Sequence, residues 1–332
     1  GRSVAVVEVD PAAAELGSLP VSLSGLGAVG LAVFGSEAGA RVAACAAAER
    51  AAGHRVALDW VAAPTSIPFS TLEQDFREVD GWSRDAYQLS YYRHDAVQGF
   101  GVAEAWSLMY YAGALDNSVP LAIIDGGFLV DEDFRPPATH TMEGSPVAFG
   151  EPMDGIYHGY LTASTALALP DNEYGVAGVA GVVAEPIFIQ VAGFGLSEQV
   201  EAMLQAYSMG ARILSMSFIA PVLTDAVPLA DALDEVTASL AEAGVLMFSS
   251  SGNGGGNLDE VVAAGGGLVC TRPCQAPGVI CVGGVDWDSV ERHPDSTYGN
   301  PGGSVDLYTP YCVWLFPPNL EGGMQRVCGT SI

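Results

Sequence analysis

The chain sets apolar runs of strand length against turns rich in glycine and small polar residues, and three of these boundaries carry a reactive side chain. Residues 121–128, LAIIDGGF, pattern as a buried apolar strand ending on Asp125 and a Gly126-Gly127 turn. Residues 244–256, GVLMFSSSGNGGG, form a second apolar run that ends on Asn253 inside a glycine turn. Residues 158–169, HGYLTASTALAL, predict a helix of small residues with His158 at its start. Earlier in the chain, SVAVVEVD (3–10), GAVGLAVFG (27–35) and HRVALDWV (54–61) read as strands, and EAGARVAACAAAERAAG (37–53) as a helix. The polar, Pro- and Ser-containing stretch that follows has the composition of a domain boundary, dividing the chain into 1–80 and 81–332.

Composition narrows the partners. A 332-residue chain with 49% hydrophobic and 15% charged residues has the material for one large α/β domain and a small one. Its formal net charge is -27 and all 12 basic residues are Arg, which argues against nucleic acid and anionic membranes. The longest apolar stretch, 175–194, is interrupted by Glu185 and Pro186, so no membrane-spanning helix is expected. A first residue of Gly without Met is expected of a processed or engineered N-terminus.

Taken singly, the reactive residues have ordinary explanations. An Asp after a strand caps a turn, a His before Gly caps a helix, and an Asn among glycines tolerates a left-handed turn. Together with Gly329-Thr330-Ser331-Ile332 they supply the parts of nucleophilic catalysis. Ser331 needs a base to take its proton, and His158 is the candidate. The imidazole gains charge during attack, which the carboxylate of Asp125 would stabilise. The Asn253 amide, with the Ser331 N–H, would receive the oxyanion.

The chain order Asp, His, Ser resembles that of the subtilisin-like serine proteases, the subtilases, and differs from the chymotrypsin and α/β-hydrolase orders. The resemblance runs from residue 87 onward, through ARILSMSF (211–218), APGVICVGGVD (276–286) and YGNPGGSVDLYTPYCVWLF (298–316). It implies a three-layer α/β fold with a parallel central sheet between helices. It implies an endopeptidase that cleaves peptide or protein substrates through an acyl-enzyme and needs no cofactor for catalysis. By the same resemblance Ser217, Phe218, Ile219, Ser250, Ser251, Gly252 and Thr271 line the pocket for the residue before the scissile bond. Thr271 with Arg272 would make that pocket shallower or more cationic, favouring small or acidic residues. The loop around Asn172 resembles the family's calcium loop, so Asp133 and Asn172, with Asp131 and Glu132, are an expected structural calcium site; a solvated acidic turn is the alternative. Residues 1–80 resemble an inhibitory propeptide, making the protein a zymogen, with an unrelated accessory domain as the alternative.

Departures from the family pattern open a second functional class. Position 126 usually bears a Thr or Ser hydroxyl and here is Gly; Tyr160 replaces a Thr; Phe218-Ile219 replaces Leu-Gly. A catalytically impaired relative that binds peptides or a partner would also fit these changes. The family's serine opens a long buried helix, so a separate C-terminal fragment, or a continuation past Ile332, is expected to complete the fold. Of six cysteines, Cys312 with Cys328 is the first expected disulfide and Cys270 with Cys274 the second, leaving Cys281 and Cys45 as buried thiols. Disulfides suit a secreted or cell-envelope protein.

Overall fold

The computed structural model describes residues 112–332 except 116, 146, 171, 173, 192, 224–225, 256–267, 287–290, 294, 296–302 and 319–324; earlier it describes 3–4, 55–56, 102, 105–106 and 109. The chain divides into two compact units, residues 1–69 with 103–116 and residues 70–102 with 117–332. In the first, β1 (Ser3–Val4) and β2 (Arg55–Val56) pair in parallel, within two of the stretches read as strands. The strand at 27–35, the helix at 37–53 and the boundary near residue 80 lie outside the described residues.

In the second unit the strands are β3 (Val119–Asp125), β4 (Ala138–Thr141), β5 (Ala184–Gln190), β6 (Ile213–Met216), β7 (Ala220–Leu223), β8 (Leu246–Ser250), β9 (Leu268–Arg272), β10 (Val279–Val285), β11 (Leu307–Pro310), β12 (Cys312–Leu315) and β13 (Gln325–Cys328). Seven of them form one sheet in the order β11-β10-β8-β6-β3-β5-β4, with every neighbouring pair parallel. The helices are α1 (His158–Leu167), α2 (Leu196–Ser208) and α3 (Val227–Glu242).

Alternation along the strands sorts side chains between two faces. Ala122 and Ile124 of β3, Ile187 and Ile189 of β5, Leu214 and Met216 of β6 and Met247 of β8 share one core with Met203 of α2 and Leu233 of α3. The intervening residues serve the opposite face. There Phe188 stacks on Phe128 with ring centres 4.8 Å apart, and Phe134 meets Phe188 and Tyr160 of α1 edge-on at 5.5 and 5.6 Å. Each such buried aromatic or aliphatic side chain contributes roughly 1.5–3 kcal/mol. The result is the expected three-layer α/β architecture. Further along the α1 side of the sheet, Ser215, Phe248 and Val282 join Thr165, Val313 and Ser331 around a cavity of about 340 Å³.

The hairpin of β12 and β13 places Cys312 opposite Cys328, and the two form the first expected disulfide. The second expected pair is not formed. Cys274 bonds instead to Cys281, with their Cα atoms 4.8 Å apart, and Cys270 stays free. The cause is the turn after β9: the Ala276 N–H donates to the Pro273 carbonyl at 2.8 Å, folding Cys274 back onto β10 while Cys270 stays in the β7–β9 ladder. Cys281 is therefore buried as a disulfide, not as a thiol. Cys45 lies outside the described residues. No helix among the described residues is long and apolar enough to cross a membrane.

Candidate active site

A parallel sheet directs the C-terminal ends of its strands to one edge, where ligands of such sheets bind. Asp125 ends β3, Ser217 follows β6, and Asn253 follows β8, so all three reach this edge. His158 arrives from the N-terminus of α1, which has no side-chain cap. Its free first-turn donors are met from the turn after β3: the Gly159 N–H donates to the Gly126 carbonyl at 2.8 Å and the Tyr160 N–H to the Gly127 carbonyl at 3.1 Å. The glycines make this close approach possible. A Cβ at 126 would collide with Met153 Sδ, and one at 127, where φ is +76°, with the Ile156 carbonyl.

This clamp brings His158 onto Asp125. The imidazole Nδ1 lies 2.8 and 2.9 Å from the two carboxylate oxygens, and Asp125 is fully buried. Burial pulls the imidazole pKa down, but the Asp125 charge and hydrogen bond outweigh it, so His158 titrates above its ordinary 6.5. With Nδ1–H donated to the carboxylate, Nε2 keeps its lone pair as a base. Two further donors reach Asp125: the Gly126 N–H at 2.7 Å and the Thr162 hydroxyl at 3.1 Å.

Ser331 follows the β12–β13 hairpin, which the Gly329 N–H anchors to the Tyr311 carbonyl at 2.8 Å. Its hydroxyl donates to the Ser217 carbonyl at 3.0 Å, and the Ser217 hydroxyl donates back to the Ser331 carbonyl at 2.8 Å. Among the described residues no hydrogen bond joins Ser331 to His158. Asn253 is exposed, but its orientation is fixed. Its Oδ1 accepts the Thr330 N–H at 2.9 Å and the Thr330 hydroxyl at 3.1 Å, while that hydroxyl accepts the Gly252 N–H at 3.0 Å. The Asn253 Nδ2 is thereby left as a donor beside Gly329.

Chemistry in this arrangement is acid–base and nucleophilic: one oriented imidazole, one hydroxyl and one oriented amide donor at the same sheet edge. The subtilase family model matches residues 116–331 of the chain. The chain belongs to the subtilase family. No curated protein matches it. Among solved structures, the prenylagaramide maturation protease PagA is 23% identical, with 70% of this chain and 75% of that one covered at a TM-score of 0.51. A lanthipeptide protease is 20% identical, covering 67% and 73% at 0.53. A protease of Pseudoalteromonas arctica is 17% identical, covering 79% and 83% at 0.55. These likenesses, all under 25% identity, are likenesses of fold.

The residues expected to line the substrate pocket of this subtilase are not all placed alike. Ser217 touches Ser331, and Ser250 shares the cavity wall with it. Ser251 is buried with its N–H on the Val282 carbonyl, and the Gly252 N–H meets Thr330. Ile219 is half-buried. The Phe218 side chain instead belongs to the core and packs on Phe194 at 4.8 Å, because its position alternates onto the α2 and α3 face. Thr271 is held through its N–H and hydroxyl by Gln275. Arg272 lends no free charge to a pocket: its guanidinium makes a two-point contact with Asp234 of α3 at 2.6 and 2.7 Å.

The acidic group around Asp133 is internally satisfied. Asp133 is buried and accepts from the Val176 N–H at 2.9 Å and from Asn172 Nδ2 at 3.0 Å. Asp131 accepts the hydroxyls of Tyr160 and Tyr174, at 2.8 and 3.3 Å. Burial, then the Asp131 charge, push the Tyr160 phenol well above its ordinary range. A hard cation needs converging oxygens, whereas Asn172 presents an amide donor and its oxygen is taken by the Tyr174 N–H at 3.0 Å. Among the described residues no group of three or more His, Cys, Asp or Glu side chains is arranged to hold a metal. Two residues at the site had no place in the sequence reading: Thr162 and Thr330. The first was visible as the helix neighbour of His158 four residues on, the second as the residue before Ser331.

Proposed function

We propose that this subtilase is a serine endopeptidase that works through an Asp125–His158–Ser331 triad and an acyl-enzyme. The observation that carries this is the two-oxygen contact of the buried Asp125 with His158 Nδ1, which leaves Nε2 as the base. In the reaction Ser331 Oγ turns from the Ser217 carbonyl to His158, gives its proton to Nε2 and bonds to the scissile carbonyl carbon. The carbonyl oxygen becomes an oxyanion that takes hydrogen bonds from Asn253 Nδ2 and the Ser331 N–H, worth about 3–4 kcal/mol per well-placed donor. The imidazolium, held against Asp125, then returns the proton to the leaving amine. Water attacks the acyl-enzyme by the same route in reverse.

A binding-only relative is favoured by one observation, the Ser331 hydroxyl held by Ser217 and not by His158. Hydrolysis of a mixed peptide library by the full-length protein, set against Ser331→Ala, separates the two. Cleavage that the variant loses supports the protease; binding without cleavage in both supports the module. The cavity beside Ser331 supports a further polypeptide segment completing the fold. The two disulfides support an exported protein. For residues 1–80 the proposed role is an inhibitory propeptide, and their deletion would release activity or prevent folding; unchanged folding and activity would remove it.

A further inference from the structure

Asp125 has no contact with solvent, so the donors around its carboxylate decide its orientation. Oδ1 takes the Gly126 N–H at 2.7 Å, and His158 Nδ1 lies between both oxygens. The remaining donor on Oδ2 is the Thr162 hydroxyl, itself buried, at 3.1 Å. Position 126 can give no side-chain donor, because Met153 occupies the space a Cβ would need. Helix geometry supplies one from the other side. Residues four apart share a helix face, so α1 presents His158 and Thr162 to the same carboxylate.

The Thr162 hydroxyl also lies 3.1 Å from the Gly159 carbonyl. Such an i−3 contact fixes the rotamer of a helical threonine, but a single proton goes to the stronger acceptor, and that is the anion. We propose that Thr162 is a positioning residue for the Asp125–His158 pair, its hydroxyl holding the carboxylate against the imidazole where position 126 offers none. This rests on the reading of that pair as the acid–base machinery.

The surroundings leave the hydroxyl's effect readable. Asp125 of β3 is the ionisable group acting on His158, and Gly126, Met153 and Ser331 are uncharged. Asp131 and Asp133 act on Tyr160, which is two residues along α1 and on a different face.

The test uses the full-length protein with Thr162→Val, which keeps the shape and removes the hydroxyl, and Thr162→Ser, which does the reverse. His158 is titrated by NMR in a Ser331→Ala background, and kcat, KM and the pH profile are measured with Ser331 present. Without the hydroxyl the carboxylate's negative charge is shared with fewer donors, and its pull on the imidazolium is stronger. The Val variant is expected to raise the His158 midpoint by about half a unit and to lower kcat about tenfold at little-changed KM. The Ser variant restores both. An unmoved midpoint and kcat in Thr162→Val, or a Ser variant that loses what Val keeps, would overturn the proposal in favour of packing. If Val prevents folding, Thr162→Ala against Thr162→Ser makes the same comparison. If no peptide is cleaved, the protease assignment fails on its own while the NMR midpoint still decides the role of Thr162.

Discussion

The side-chain oxygen of Asn253 accepts two hydrogen bonds from Thr330, from its N–H at 2.9 Å and its hydroxyl at 3.1 Å. One end of the amide is thus tied to the residue before Ser331, and the other end has only donors to offer. Replacing Asn253 by Ala should lower kcat about 100- to 1000-fold and cost roughly 1 kcal/mol, since the Thr330 N–H and hydroxyl lose their acceptor. Thr330→Val should lower kcat about tenfold and cost roughly 1–3 kcal/mol, because the buried Gly252 N–H loses its acceptor. Thermal melts and steady-state rates on both variants check this.

The pH profile follows from His158. Its pKa is raised in the folded protein, so the acid limb of kcat/KM should have its midpoint above the ordinary 6.5. The same shift stabilises the fold: the contribution is fully present below 6.5 and is lost as pH rises through the raised value. Denaturant melts of Asp125→Asn against the unaltered protein should differ more below 6.5 than well above it. A limb centred at or below the ordinary value would contradict the pairing.

Gly127 lies in the turn after β3, where its carbonyl accepts the Tyr160 N–H of α1 at 3.1 Å. At φ +76° and against the Ile156 carbonyl, an Ala there meets backbone with no means of moving aside. Gly127→Ala should cost about 2–4 kcal/mol, more than Gly126→Ala, which displaces the Met153 side chain. Chemical denaturation of the two variants gives the order.

Gln190 is the register neighbour of Asp125 on β5, fully buried, and its amide finds no hydrogen-bond partner among the described residues. Gln190→Leu removes an unsatisfied polar group at similar volume. Stability should hold or rise by about 1–2 kcal/mol; a loss of that size would reveal a partner that the amide needs.

Much of this architecture was legible because parallel strands buried on both faces are nearly continuous apolar runs, against which a terminal Asp125 or Asn253 stands out. The polar residue at each run's end then reports the sheet edge where function collects. Thr162 is less legible because its hydroxyl reaches Asp125 from one helical turn beyond His158, away from position 126 in the chain. Phe218 packs in the core and not at the pocket, and sequence does not say which face a residue takes just after a strand ends. The Cys274–Cys281 bond depends on how the turn at 273–278 folds back, and spacing alone does not encode that path.

The central claim is that Ser331 is a nucleophile activated by His158. A fluorophosphonate probe reacts with a serine only when a neighbouring base takes its proton. Intact mass and peptide mapping of the full-length protein should show one adduct, on Ser331, absent in Ser331→Ala and strongly reduced in His158→Ala. An unmodified Ser331, or labelling that His158→Ala leaves unchanged, would contradict the account.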